Sequence, residues 1–257
     1  MENRLQQVWL SHYSINEWTD PEAWASYLSE VQLILDAKLV RLDAHDPVRR
    51  KVTSLDETGE YICDFGEKEE SRYLFAKFDK VATTFSIQHY RRIPEARNQF
   101  PNGIIWHFPP DYLNSKENGQ KLKALFKWSN QSFSPFYAYS DTLEHIVNKK
   151  KKSGSVSFEV ELLGVSWLNY FNDAYVNFFG RKKFEAFPEV IDEKSGGITT
   201  CLAQTPFDVP SHLREELAVV LGRESFVNPA DILNKPVGKY ALSYKQLREG
   251  QALSTSK

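Results

Sequence analysis

Three runs of β-forming residues, Tyr73–Phe78, Thr83–Tyr90 and Gly103–Phe108, constrain the fold more than any other feature. Only Asp79-Lys80-Val81-Ala82 separates the first from the second. A parallel crossover needs about a dozen residues or more, so links this short favour antiparallel pairing. The second run alternates apolar and polar residues strictly, which predicts one buried and one solvated face. The third stops at Pro109-Pro110. Elsewhere strands and helices intermix without the β-α-β-α rhythm of a doubly wound sheet, and no repeat of about 20–50 residues appears. The pattern predicts an α+β protein, a mainly antiparallel sheet with helices packed against it.

Other elements follow from local chemistry. Residues 5–15 read as a strand through Val8, Leu10 and Tyr13. Asp20 is placed to cap a helix that Pro21 opens. Trp24, Tyr27, Leu28, Val31, Ile34 and Leu35 then recur at spacings of three and four, an amphipathic helix to about Ala37. Residues 38–71 read as polar loop with short strands near Val52 and Tyr61-Ile62-Cys63. A helix over 117–130 turns Leu122, Leu125, Phe126 and Trp128 inward, and Phe136–Tyr139 forms a short strand. Asp141 is an N-cap candidate for a helix through Val147. Val156–Leu162 and Val165–Phe171 read as strands, and Asp173 opens a short helix that Gly180 closes. Ser195-Gly196-Gly197 is a turn before a strand over Ile198–Leu202. Residues 211–221 form a helix capped by Ser211, with Leu213, Leu217, Val220 and Leu221 inward. The chain reads as one unit over 1–257, with a seam candidate near 148–155 and a loose tail from about 230.

Composition supports an ordered core. Apolar residues make up 41% and aromatics 14%, with 17 Phe, 12 Tyr and 6 Trp, unlike the aromatic-poor make-up of a disordered chain. Thirty-two basic residues against 34 acidic give a net charge of −2, so no global attraction to nucleic acid or anionic membrane is expected. Cys63 and Cys201 form no C-x-x-C motif and read as half-buried thiols of a reducing compartment; a disulfide would need their Cα atoms within ~7 Å. The first residues carry no apolar signal region, and no apolar run approaches the ~20 residues that span a bilayer. The expected location is the cytoplasm.

Catalytic signatures are absent from the sequence. It contains no phosphate-binding glycine loop, no G-x-S-x-G elbow and no H-E-x-x-H. His12, His45, His89, His107, His145 and His212 are isolated from one another, and neither metal nor cofactor is expected. His107, between Trp106 and Phe108, reads as a packed histidine. Glu159 and Glu161 would share one face of a strand and, with His107, are the residues a hydrolase or transferase site assembled only by folding would draw on. Glu215-Glu216 reads as solvated surface.

Two charged segments remain. Lys149-Lys150-Lys151-Lys152 would touch phosphate if the chain were a nucleic-acid-associated module, but no aromatics interleave it, and a solvated loop is the simpler reading. The acidic segment gathers Asp56, Glu57, Glu60, Asp64, Glu67, Glu69 and Glu70 against Lys68 alone, with Tyr61, Cys63 and Phe65 alternating through it. Carried on a partly structured hairpin, it would suit a basic protein partner.

One stretch resembles a known family. Gly164-Val165-Ser166-Trp167-Leu168-Asn169-Tyr170-Phe171 followed by Asp173-Ala174-Tyr175-Val176-Asn177-Phe178-Phe179-Gly180 is similar to the strand-then-helix core of bacterial immunity proteins of polymorphic-toxin and type VI secretion systems, nearest to immunity protein family fifty-two. Leu122-Lys123-Ala124-Leu125-Phe126, Ser134–Tyr139, Gly196-Gly197-Ile198 and Thr205-Pro206-Phe207-Asp208 extend the likeness over roughly residues 100–225. The resemblance implies a non-enzymatic inhibitor of one cognate toxin, a nuclease effector acting in the cytoplasm, with no membrane or direct nucleic-acid contact. A nuclease presents a basic substrate cleft, which makes the acidic segment the expected toxin-binding surface.

Overall fold

In the computed structural model, which describes residues 5–45, 47–68, 71–90, 101–149, 157–228 and 235–254, the chain forms two units. One is Trp9–Pro135; the other joins Met1–Val8 to Phe136–Lys257. The seam candidate at 148–155 falls within the second unit, and residues 150–156 lie outside the described set.

The N-terminal unit runs β1 (Val8–Ser14), α1 (Pro21–Leu35), β2 (Leu39–Asp43), α2 (Leu55–Lys68), β3 (Ser71–Phe78), β4 (Thr84–Tyr90), β5 (Asn102–Phe108) and α3 (Lys116–Phe133). Its strands lie in the order β2-β3-β4-β5-β1. The short link acts as expected, β3·β4 being antiparallel, and β2·β3 and β4·β5 are antiparallel as well. Asp20 caps α1 by accepting from the Glu22 and Ala23 amides, and Asp36 ends it in the left-handed region at φ 48°. Of the stripe its spacing predicts for α1, Trp24, Tyr27, Leu28, Val31 and Leu35 are buried, and Ile34 is half-buried. Tyr27 reaches the sheet, where Trp106 Nε1 donates to its hydroxyl at 3.2 Å, and the hydroxyl shares a 2.9 Å hydrogen bond with Ser129 of α3. Rings of Phe85 and Trp106 stack across β4 and β5 at 4.1 Å.

The segment read as loop is where the structure departs from the sequence reading. Residues 39–43 form β2, and 55–68 form a helix in place of the short strands and hairpin expected near Val52 and Tyr61-Ile62-Cys63. The reason lies in a start signal and a period. Ser54 Oγ accepts from the Glu57 amide at 3.1 Å, the S-x-x-E arrangement of a helix N-terminus. Thr58, Ile62 and Phe65 then recur at helical spacing and are buried, while Tyr61 and Asp64 between them are not.

The C-terminal unit runs β6 (Tyr137–Thr142), α4 (Leu143–Lys149), β7 (Leu168–Phe171), α5 (Asp173–Phe179), β8 (Glu189–Asp192), β9 (Ile198–Cys201), α6 (Ser211–Leu221) and α7 (Tyr244–Ser254). The strand order is β6-β7-β9-β8, antiparallel throughout. Both units together give an α+β protein with antiparallel sheets and packed helices. Phe171 sits at 5.6 Å from Tyr137 and 5.4 Å from Phe184 in an aromatic core. Residues 157–162 are a turn, with Leu162 bridging to Phe226, rather than the strand expected over 156–162. The tail expected to be loose includes α7, anchored by fully buried Leu247 and by the Leu242 amide, which donates to Tyr175 Oη at 3.2 Å.

Candidate functional site

At about 100° of rotation per residue, Asp56, Glu57, Glu60 and Asp64 fall within about 100° of arc on α2. All four are exposed, while Thr58, Gly59, Ile62, Cys63 and Phe65, around the rest of the helix, are buried. Folding as a helix therefore gathers the acidic residues onto one face, which a hairpin would have split between two. Glu67 lies on the last turn of α2, its side chain not among those described; Glu69 and Glu70 lie outside the described residues. Glu57 also receives a hydrogen bond from Thr53 Oγ1. Beside this face the Arg50 guanidinium stands 3.6 Å over the Tyr61 ring.

Gly59 sets how α2 is held. It packs so closely on the first turn of α1 that a Cβ at this position would lie 2.2 Å from the Pro21 carbonyl oxygen. Cys63, on the same side, has its thiol 3.6 Å from the Trp18 carbonyl oxygen. The acidic face is thus mounted on a close helix–helix contact.

The other sequence candidates take up packing positions. His107, on β5, stacks on Trp9 with ring centroids 4.0 Å apart. Glu159 Oε1 accepts from the Tyr244 amide at 2.9 Å, and Glu161 pairs with Lys235 at 3.0 Å, so both carboxylates tie down the C-terminal segment. They lie in the C-terminal unit and His107 in the other. Lys149 is half-buried with its ammonium 3.9 Å from Glu215; Lys150, Lys151 and Lys152 are outside the described residues. Cys63 and Cys201 are buried thiols, the latter donating to the Ala203 carbonyl at 3.1 Å. Among the described residues no cluster of His, Cys, Asp and Glu could hold a metal ion, and no helix is long and apolar enough to cross a membrane.

The C-terminal unit contains a polar cluster that the sequence reading missed. Asp141 is fully buried and is not a helix cap; Thr142 Oγ1 takes that place, accepting from the His145 amide. The Asp141 carboxylate accepts from Arg214 Nη2 at 3.0 Å and Nε at 3.1 Å, and from the Thr142 and Trp167 amides at 2.8 and 2.9 Å. Arg214 also donates to the Val209 and Pro206 carbonyls. Burial pushes the Asp141 carboxyl up to about 6 against the pull of Arg214 and the two amides, so it is an anion at neutral pH. A signal existed: 214, 217 and 221 share the inward face of α6, whereas Val220, expected inward, is exposed.

Comparison with known proteins places the fold. No protein-family model matches the chain, and no curated protein does. A solved structure, Pseudomonas aeruginosa T6SS protein PA0821, is similar with a TM-score of 0.57 at 12% identity, over 97% of this chain and 85% of that one. At that identity the likeness is one of fold.

Proposed function

We propose that the chain is a non-enzymatic immunity protein of a type VI secretion system, which binds one cognate toxin and neutralises it in the cytoplasm. The observation that carries this reading is the shared fold, over 97% of the chain, with a protein named as a T6SS protein. The toxin is taken to be a nuclease, because the exposed acidic face of α2 complements the basic cleft such an enzyme offers its substrate. Asp56, Glu57, Glu60 and Asp64 are the contact residues, and Arg50 stacked on Tyr61 lies at their edge.

The test is co-expression with the product of the adjacent gene, since an immunity gene is expected beside its toxin gene. The two should co-purify, and the chain should restore growth to cells making the toxin. Replacing Asp56, Glu60 and Asp64 together with lysine should leave the fold intact and slow association by about tenfold or more at low salt, the difference shrinking as salt screens it. Absence of both co-purification and protection rejects the immunity reading. Association unchanged by the triple replacement moves the contact away from α2.

A further inference from the structure

Strand β8 ends the order β6-β7-β9-β8, and all four of its residues are exposed, Val190 and Ile191 at 37% each. The Glu193 amide donates to the Gly197 carbonyl at 2.9 Å, which turns the backbone of residue 193 toward β9. In an antiparallel pair these directions alternate along the strand. Glu189 and Ile191 therefore bond inward, opposite Cys201 and Thr199, while Val190 and Asp192 turn their N–H and C=O groups away from β9. Among the described residues no group bonds to any of these four. The edge strand β2 of the N-terminal unit is finished differently. There the Leu42 amide donates to the Arg50 carbonyl at 3.0 Å and the Val52 amide to the Val40 carbonyl at 3.1 Å, so the chain covers its own edge. Side chains alternate too. Glu189, Ile191 and Glu193 share one face of β8, and Val190 shares the other with Asp192, which Arg181 pairs.

We propose that the outer edge of β8 takes up an extended segment of a partner protein, with an apolar residue opposite Ile191 and a lysine or arginine opposite Glu189 and Glu193. An antiparallel strand in this place exchanges two hydrogen bonds with Val190 and two with Asp192, the pattern of β-strand addition. The carboxylates select the occupant. Two copies of this chain that pair antiparallel through the same two residues set Glu189 opposite Glu193 of the other copy at both ends, and like charges directly opposite are destabilising. A strand with basic flanks meets the same two carboxylates as opposite charges, which stabilises each end. The edge is thus closed to its own kind and open to a complementary chain. This surface belongs to the C-terminal unit and does not involve the acidic face of α2.

The experiment is amide NMR of the intact chain titrated with the acetylated and amidated peptide Lys-Thr-Val-Thr-Lys, which sets valine opposite Ile191 and the threonines opposite Val190 and Asp192. The expected result is binding of about millimolar strength, with the shifts and slowed hydrogen exchange centred on the Val190 and Asp192 amides. Methylating both threonine nitrogens keeps the charges, removes two donors and should weaken binding about tenfold; replacing both lysines with glutamate should also weaken it. Val190→Pro removes an outward N–H and no bond to β9, so it should leave the β9 amide shifts in place and weaken the peptide. If that variant fails to fold, the peptide comparisons on the unmodified chain decide. No shift at β8 with peptide up to about 10 mM, or equal binding by either modified peptide, overturns the proposal. Shifts of the same amides with protein concentration alone also overturn it, since they identify a second copy as the occupant.

Discussion

Gly59→Ala sets two well-measured effects against each other at one position of α2. In a solvent-exposed helix interior the substitution stabilises by about 1 kcal/mol, because glycine has the higher backbone entropy to lose. Here the added methyl would sit 2.2 Å from Pro21 O, 3.0 Å from Pro21 C and 3.3 Å from Pro21 Cα. All three are backbone atoms in the first turn of α1, so no rotamer change relieves the clash. Restoring an ordinary contact requires the helices to part by about 1 Å, which opens the packing around Ile62 and Cys63; overpacking of this kind costs about 1–3 kcal/mol or more. The steric loss should exceed the gain in propensity, giving net destabilisation of about 1–2 kcal/mol. Urea titration followed by tryptophan fluorescence reads this directly, since Trp18 and Trp24 are buried in the same unit. A variant more stable than the parent by 0.5–1 kcal/mol, the value of an unconstrained helix position, refutes the close α1–α2 contact.

Two other perturbations test the buried polar groups. Arg214→Met leaves the Asp141 carboxylate enclosed with only two amide donors, and should cost about 3–5 kcal/mol by denaturant titration at pH 7, with much of the loss recovered when Asp141 is replaced by leucine as well. His12 is fully buried, with Nε2 3.3 Å from the Phe126 carbonyl oxygen, and burial lowers its pKa to about 3. The unfolded chain takes up this proton near pH 6.5 and the folded chain does not, so stability falls by about 1.4 kcal/mol per pH unit as pH drops below 6.5. His12→Phe should reduce that slope by one proton in a comparison of denaturation midpoints at pH 7 and 5.

What was legible in the sequence follows the physics of each segment. Strands β3 to β5 and helix α1 were readable because their periods are clean and Asp20-Pro21 announces the helix. Helix α2 was hidden by competing signals: Tyr61, Cys63 and Phe65 alternate like a strand, and Gly59 lowers helix propensity. The glycine is there for the neighbouring helix, a tertiary requirement that local pattern does not encode. The Ser54–Glu57 start signal stands at the head of the segment, masked by that alternation. Arg214 shows the opposite case, a charge on an apolar stripe whose partner lies 73 residues away in sequence. Only the fold joins them. The composition of the acidic segment was visible from the start, but its geometry depended on recognising the helix.

The geometry of α2 also limits what its charge can do. From Asp56 to Asp64 the face extends about 12 Å along the helix, comparable to the screening length of about 8 Å at physiological ionic strength. Beyond that distance a partner meets a chain of net charge −2, nearly neutral for its size. In the proposed complex the acidic face would act on association over the last approach of a partner, within about one screening length, where it would favour one docking orientation and penalise wrong partners. Tight inhibition needs desolvated anchors as well, of which Tyr and Arg are the commonest kinds. Arg50 over Tyr61 supplies that pair at the edge of the same helix. On these grounds Tyr61→Ala should act on dissociation, and reversal of Asp56, Glu60 and Asp64 on association. Equal effects of both changes on the association rate would contradict this division of labour.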